Sequence, residues 1–142
     1  ITKWVATWNL WVAGFSNGTI YTSPDTITWT LRYTDANGYA INQFHYDNGV
    51  GVFVSTNGTV TTSTNGTSWA RATNSGFTAS SLLDVDYSPS LGIWVVSGTG
   101  TNGVMYWATN PSGTWTAGTG LTSGQNYAVA WNPAAAGTAA GS

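Results

Sequence analysis

Two anchors recur along this 142-residue chain, and together they leave few folds open. The first is an aromatic residue followed by a small polar one at the end of a short apolar run. It occurs at Trp8-Asn9, Tyr46-Asp47, Tyr87-Ser88 and Trp131-Asn132, at intervals of 38, 41 and 44 residues. The second is a Ser or Thr six residues before a Trp: Ser23 to Trp29, Ser63 to Trp69 and Thr109 to Trp115. Self-similarity at a period of roughly 20–50 residues marks a repeat architecture.

Between the anchors the units agree strand by strand. An apolar run comes first (LWVAGF, GVFVS, IWVVSG), then an Asn-Gly turn at Asn17-Gly18, Asn57-Gly58 and Asn102-Gly103. Asn-Gly between alternating runs signals a hairpin, because both turn positions take positive φ. A third strand (TIYTS, TVTTS, VMYWAT) leads into the Ser-to-Trp turn, and a fourth starts at each Trp (WTLRY, WARAT, WTAG). The linkers carry Gly38-Tyr39, Gly76-Phe77 and Gly120-Leu121. No segment has a helical period. Four short antiparallel strands in about 40 residues form a propeller blade. The expected fold is therefore all-β: a β-propeller of three four-stranded antiparallel blades in one domain. The blades fall at about 3–33, 41–73 and 82–118, with an extra C-terminal strand at about 126–132 and a tail at 133–142.

The Ser-to-Trp turns resemble the Asp-box, or bacterial neuraminidase repeat, of sialidase-type propellers. They are more similar still to the Ser-Pro-Asp-Gly-x-x-Trp repeats of bacterial and phage propeller proteins. YTSPDTITW has Ser23, Asp25 and Trp29 at the family positions, with Thr26 where Gly is usual. In STNGTSW, Asn65 stands for the Asp, and TNPSGTW keeps only the Trp and a turn. The resemblance implies a folding element, in which the acidic or amide side chain ties the turn and the Trp packs between blades. It implies a fold and not a chemistry.

Propellers typically close with about four to eight blades. An arc of three leaves two blade faces open, and soluble monomers rarely expose apolar patches above a few hundred Å². The expected partners are copies of the same chain, in a closed ring of two or an open head-to-tail array. The first unit already has a first strand, WVATW, so the strand carrying Tyr127, Val129 and Trp131 is surplus within the chain. Strand addition to a neighbour's sheet edge is an established binding mode, which makes these residues the candidate assembly strand. Two other readings stay open: a carbohydrate-binding propeller, and a piece of a larger propeller.

Composition decides what the surface can do. Charged residues make up 6% of the chain, against about 25% in ordinary globular proteins. There is no Glu, and the cations are Lys3, Arg32 and Arg71. Nucleic-acid binding, which draws on roughly 6–10 phosphate contacts, is excluded as an expectation. The absence of Cys removes disulfides, thiolate metal sites and thiol nucleophiles. No run of about 18 apolar residues predicts membrane insertion. A surface of Thr, Ser, Asn and Gly points to an extracellular, cell-surface or virion-surface location, and the start at Ile1 fits a processed or excerpted chain.

Gly14-Phe15-Ser16-Asn17-Gly18 matches the G-x-S-x-G nucleophile pattern, but on a hairpin tip and not in the strand–turn–helix context that pattern requires. Sialidase chemistry, in the family resembled, uses an arginine cluster and a tyrosine–glutamate pair. Here there are two arginines, Arg32 and Arg71, which strand alternation puts on opposite faces, and no Glu. Other glycosidases need two placed carboxylates, and only Asp84 and Asp86 are close. The expectation is a non-catalytic protein without cofactor or metal. His45 is the one histidine, Asp86 is its equivalent in the next unit, and Asp84 shares the strand face of Asp86. If the first strands are innermost, these three converge on a small polar site. Trp4 and Trp107 fall off the repeat pattern, Trp107 at the place of Tyr21 and Thr61. Exposed aromatics flanked by Thr and Asn suit stacking on sugar rings, so Trp4, Trp107, His45, Asp84 and Asp86 are the candidate ligand contacts. Asn17, Asn57 and Asn65 each head an Asn-Gly-Thr sequon on an expected turn, where a secreted protein would carry a glycan. The same tripeptide is also good hairpin chemistry.

Overall fold

In the computed structural model, residues 1–72, 77, 81–100, 104–121 and 128–130 are described, and they form three four-stranded antiparallel sheets. Sheet 1 is β1 (Thr2–Val5), β2 (Leu10–Gly14), β3 (Thr19–Ser23) and β4 (Thr30–Thr34). Sheet 2 is β5 (Ile41–Asp47), β6 (Val50–Ser55), β7 (Thr59–Ser63) and β8 (Ala70–Arg71). Sheet 3 is β9 (Ser81–Ser88), β10 (Ile93–Thr99), β11 (Val104–Ala108) and β12 (Thr116–Ala117). Each is a meander in chain order, and the three sheets do not close on one another. Among the described residues the only helix is the 3-10 turn Ala6–Trp8.

Period-two alternation stacks the sheets. In sheet 2, Phe44 and Phe53 lie opposite each other on one face, while Val52 and Val54 take the other. The first face packs on Val5, Val12 and Ile20 of sheet 1, with Trp8, Tyr33, Ile41, Tyr46 and Trp69 around them. The second face, with Val60, packs on Val85, Tyr87, Trp94, Val96, Tyr106 and Trp115 of sheet 3. Each sheet therefore turns its outer face to the sheet before it and its inner face to the sheet after it. Glycine permits the closest approach: a Cβ on Gly51 would lie 2.5 Å from the Trp8 ring.

The hairpins follow turn chemistry with one departure. Asn57 and Gly58 both have positive φ, 58° and 64°, as a two-residue turn requires. At the first hairpin only Gly18 does, because the loop is longer: Gly18 N–H donates to Phe15 O and Phe15 N–H to Thr19 O. Asn102-Gly103 lies outside the described residues.

Three expectations need correction. The first strand of unit one is Thr2–Val5 and not WVATW, because the chain leaves it through the 3-10 turn and Asn9 in left-handed geometry at φ 53°. Trp8 is thus a loop residue, whereas Tyr46 and Tyr87 lie on strands. The fourth strands begin one residue after each Trp. Trp107 does not take the place of Tyr21 and Thr61. Tyr106 faces the preceding sheet as Thr61, opposite Phe53, does, which puts Trp107 on the far side of sheet 3. The reason is that Ala108, seven residues before Trp115, and not Thr109, ends β11 as Ser23 and Ser63, six before their Trp, end β3 and β7. The third turn is therefore one residue longer, and the count from Trp115 lands on the other face.

Candidate functional site

The repeated turn is built from short polar side chains. Asp25 Oδ1 accepts the Thr28 and Ile27 amides at 2.8 and 2.9 Å and the Ser23 hydroxyl at 2.9 Å. Ser23 Oγ in turn accepts the amides of Asp25 and Thr26. Asn65 and Ser63 repeat the pattern: Asn65 Oδ1 accepts the Thr67 and Ser68 amides, both at 2.9 Å, and Ser63 Oγ those of Asn65 and Gly66. Indole N–H groups close the turns, Trp29 onto Thr26 O and Trp69 onto Gly66 O, three residues back. Trp115 reaches Pro111 O, four residues back. The amides of Thr28 and Ile27, with the Ser23 hydroxyl, hold the Asp25 carboxyl below the ordinary aspartate value. Asn17 and Asn57 are exposed, as is Asn65, whose amide oxygen serves its own turn.

The first strands lie side by side, β1 next to β5 and β5 next to β9. Asn42 fastens the second pair, its amide donating to Leu82 O and Ser81 Oγ. A cleft of about 480 Å³ runs between these strands, lined in part by Lys3, Trp4, Gln43, His45, Asp84 and Asp86. His45 Nε2 stands 3.3 Å from Asp86 Oδ1 and 3.8 Å from Asp47 Oδ2. Among the described residues no aligned hydrogen bond satisfies that nitrogen, and the approach is that of an ion pair when the ring is protonated. The ring packs edge-on against Trp94 at 5.8 Å. Asp84 Oδ2 accepts the Val129 amide at 2.9 Å, tying the segment 128–130 beside β9. Tyr127 and Trp131 lie outside the described residues, and the described part of the expected C-terminal strand, 128–130, is not strand and joins none of the three sheets. Among the described residues no three His, Cys, Asp or Glu side chains are grouped to hold a metal.

Four of the five candidate ligand contacts, Trp4, His45, Asp84 and Asp86, thus share one cleft, and Trp107 does not. Lys3 and Gln43 join them without a motif to announce them. Asp47 carried a readable signal, since it follows His45 by two and so shares its strand face. Arg32 and Arg71 fall on opposite faces of their sheets, Arg32 donating to Thr22 Oγ1 and Arg71 lying 5.7 Å over the Tyr39 ring.

No protein-family model matches the chain, and no curated protein does.

The outermost sheet faces complete the inventory of candidate surfaces. On sheet 1, Trp4, Trp11, Ala13, Tyr21 and Leu31 alternate outward, flanked by Phe15 and Trp29. Trp4 and Trp11 meet at a tilt of 55° with centroids 5.5 Å apart, and Phe15 meets Tyr21 edge-on at 5.5 Å. Trp29 is 36% exposed where its counterpart Trp115 is 3% exposed against sheet 2. On sheet 3, Leu91, Ile93, Val95 and Met105 line an apolar groove of about 360 Å³, with residues 128–130 along one side. Sequence reasoning missed Trp11, Phe15 and Leu31 as surface residues, because a strand face that packs inward in the other units reads as core.

Proposed function

We propose that the protein is a non-catalytic structural module of the cell exterior that associates with copies of itself. In this reading the three sheets are blades of an open propeller arc, and the repeated turn hydrogen bonds support the resemblance to Asp-box-type repeats. The observation that carries the proposal is the outer face of sheet 1. It holds four large apolar residues at 36% exposure or more, Trp4, Phe15, Trp29 and Leu31, on the kind of face that sheets 2 and 3 bury. Aromatic side chains bury roughly 150–250 Å² each when packed, and a face of that size left wet is an interaction surface.

The C-terminal segment, whose described residues 128–130 form no strand within the chain, is the proposed connector. Its Val129 amide is bonded to Asp84 of the same chain, and exchange of an identical element between copies is a low-cost route to assembly. Deleting residues 124–142 should return assemblies to monomer mass in light scattering. An unchanged mass would remove the segment from the mechanism.

A second reading, carbohydrate binding, is favoured by the cleft that gathers Trp4, His45, Asp84 and Asp86 with Lys3 and Gln43. An aromatic face beside carboxylates and an amide offers stacking and bidentate acceptance of sugar hydroxyls. Trp4→Ala and Asp86→Asn should then lose binding on a glycan array while Trp107→Ala keeps it. Binding lost only in Trp107→Ala would place the ligand elsewhere.

A further inference from the structure

The chain makes the same sheet-on-sheet junction twice, and among the described residues no sheet is stacked on either part of a third. In each junction the inner face of one sheet receives the outer face of the next, together with the Trp that ends its polar turn: Trp69 against sheet 1, Trp115 against sheet 2. At the first junction the turn of sheet 2 also settles on the loop of sheet 1. A Cβ on Gly66 would lie 2.7 Å from the Trp8 ring, and Trp8 meets Trp69 edge-on at 5.9 Å. At the second junction the turn of sheet 3 is tied down by Ser112 Oγ, 2.7 Å from Thr62 Oγ1.

The unused parts match this plan at several positions, with Ser97 at the place of Val54 and Trp107 at that of Thr62 as the departures. The far face of sheet 3 presents Ile93, Val95 and Met105 where the inner face of sheet 2 presents Val50, Val52 and Val60. The four-residue loop between β9 and β10 corresponds to the four-residue loop that carries Trp8. Leu91 lies on it at 68% exposure, with no sheet of the described residues stacked beyond. At the other end Trp29 stands where Trp69 and Trp115 stand, on a turn whose Thr26 corresponds to Gly66.

We propose that a second copy of this chain stacks the outer face of its sheet 1 on the far face of sheet 3. Its Trp29 and Thr26 then come to rest against Leu91 and Ile93, as Trp69 and Gly66 rest against Trp8. The proposal builds on the self-association reading and names the surfaces it uses. The occupant is another copy because the junction already exists twice between consecutive sheets, and the open faces are its two unmatched halves. The contact is heterologous: every copy gives one face and receives on another, so assemblies close into rings or run on as filaments.

The chain has no Cys, so single cysteines report the contact cleanly. Thr26→Cys and Leu91→Cys proteins, mixed under mild oxidation, should give a disulfide-linked pair that neither gives alone. Leu91→Asp, a change at an exposed loop position, should weaken association about tenfold or more and leave the circular dichroism spectrum unchanged. Thr26-to-Thr26 linkage, or self-association by light scattering with no Thr26–Leu91 linkage, would overturn this junction and leave self-association standing. Monomer mass for the wild-type chain at every concentration would overturn both.

Discussion

Thr26 and Gly66 stand at one position in two copies of a turn, and both take left-handed geometry, φ 66° and 75°. For a β-branched residue that geometry costs about 1–2 kcal/mol, part of which glycine's greater freedom in the unfolded chain cancels. Thr26→Gly should therefore stabilise the protein by about 0.5–1 kcal/mol, read as a rise in the urea midpoint. Gly66→Thr should do the opposite and more, since its Cβ would also strike Trp8. The same pair of turns separates a titrating from a non-titrating anchor. Asp25 has its pKa depressed in the folded chain, so its contribution is complete above the ordinary aspartate value and is lost as pH falls through the folded one. Protection of the Ile27 and Thr28 amides against exchange, relative to the free-chain rate at each pH, should fall in acid, below about pH 4. Exchange at Thr67 and Ser68, held by the neutral Asn65, should show no such step.

At the level of strands and turns, much was legible in the sequence because the signals are local. A Ser, an Asp or Asn two residues on, and a Trp six residues on specify a hydrogen-bonded turn without tertiary help. The convergence of His45, Asp84 and Asp86 was legible for a related reason: each sits on the first strand of its unit, and those strands are neighbours. What escaped is register. One added residue in the third turn sent Trp107 to the far face, and the 3-10 turn took Trp8 off its strand. Counting from anchors cannot locate an insertion between them. The stacking of sheets makes its own prediction at Gly51, whose missing side chain admits the Trp8 ring. Gly51→Ala should cost about 1–3 kcal/mol by overpacking. Trp94→Ala, at a fully buried position between sheets 2 and 3, should cost about 3–5 kcal/mol in denaturant unfolding.

For the molecule as a whole, the charge count sets the response to solution conditions. A net charge of −2 spread over eight ionisable Asp, Lys and Arg side chains gives weak long-range fields. The surfaces proposed to meet are apolar. Association should therefore persist in 1 M sodium chloride, about where screening has shortened to roughly 3 Å, and should strengthen in sulfate. Sedimentation velocity at both conditions checks this. Dissociation by chloride alone would mean that charge pairs hold the copies together.

The two outermost sheet faces differ from each other, an aromatic one at the start of the chain and an aliphatic groove at the end. In the proposed assembly such a chain is, in the language of polymer chemistry, a monomer with two unlike reactive ends, and the product would carry a direction. A variant damaged at one end only, such as Leu91→Asp, is then a chain stopper. It still docks by its intact face but offers nothing to the next copy, so a small mole fraction should set the mean length of every assembly it enters.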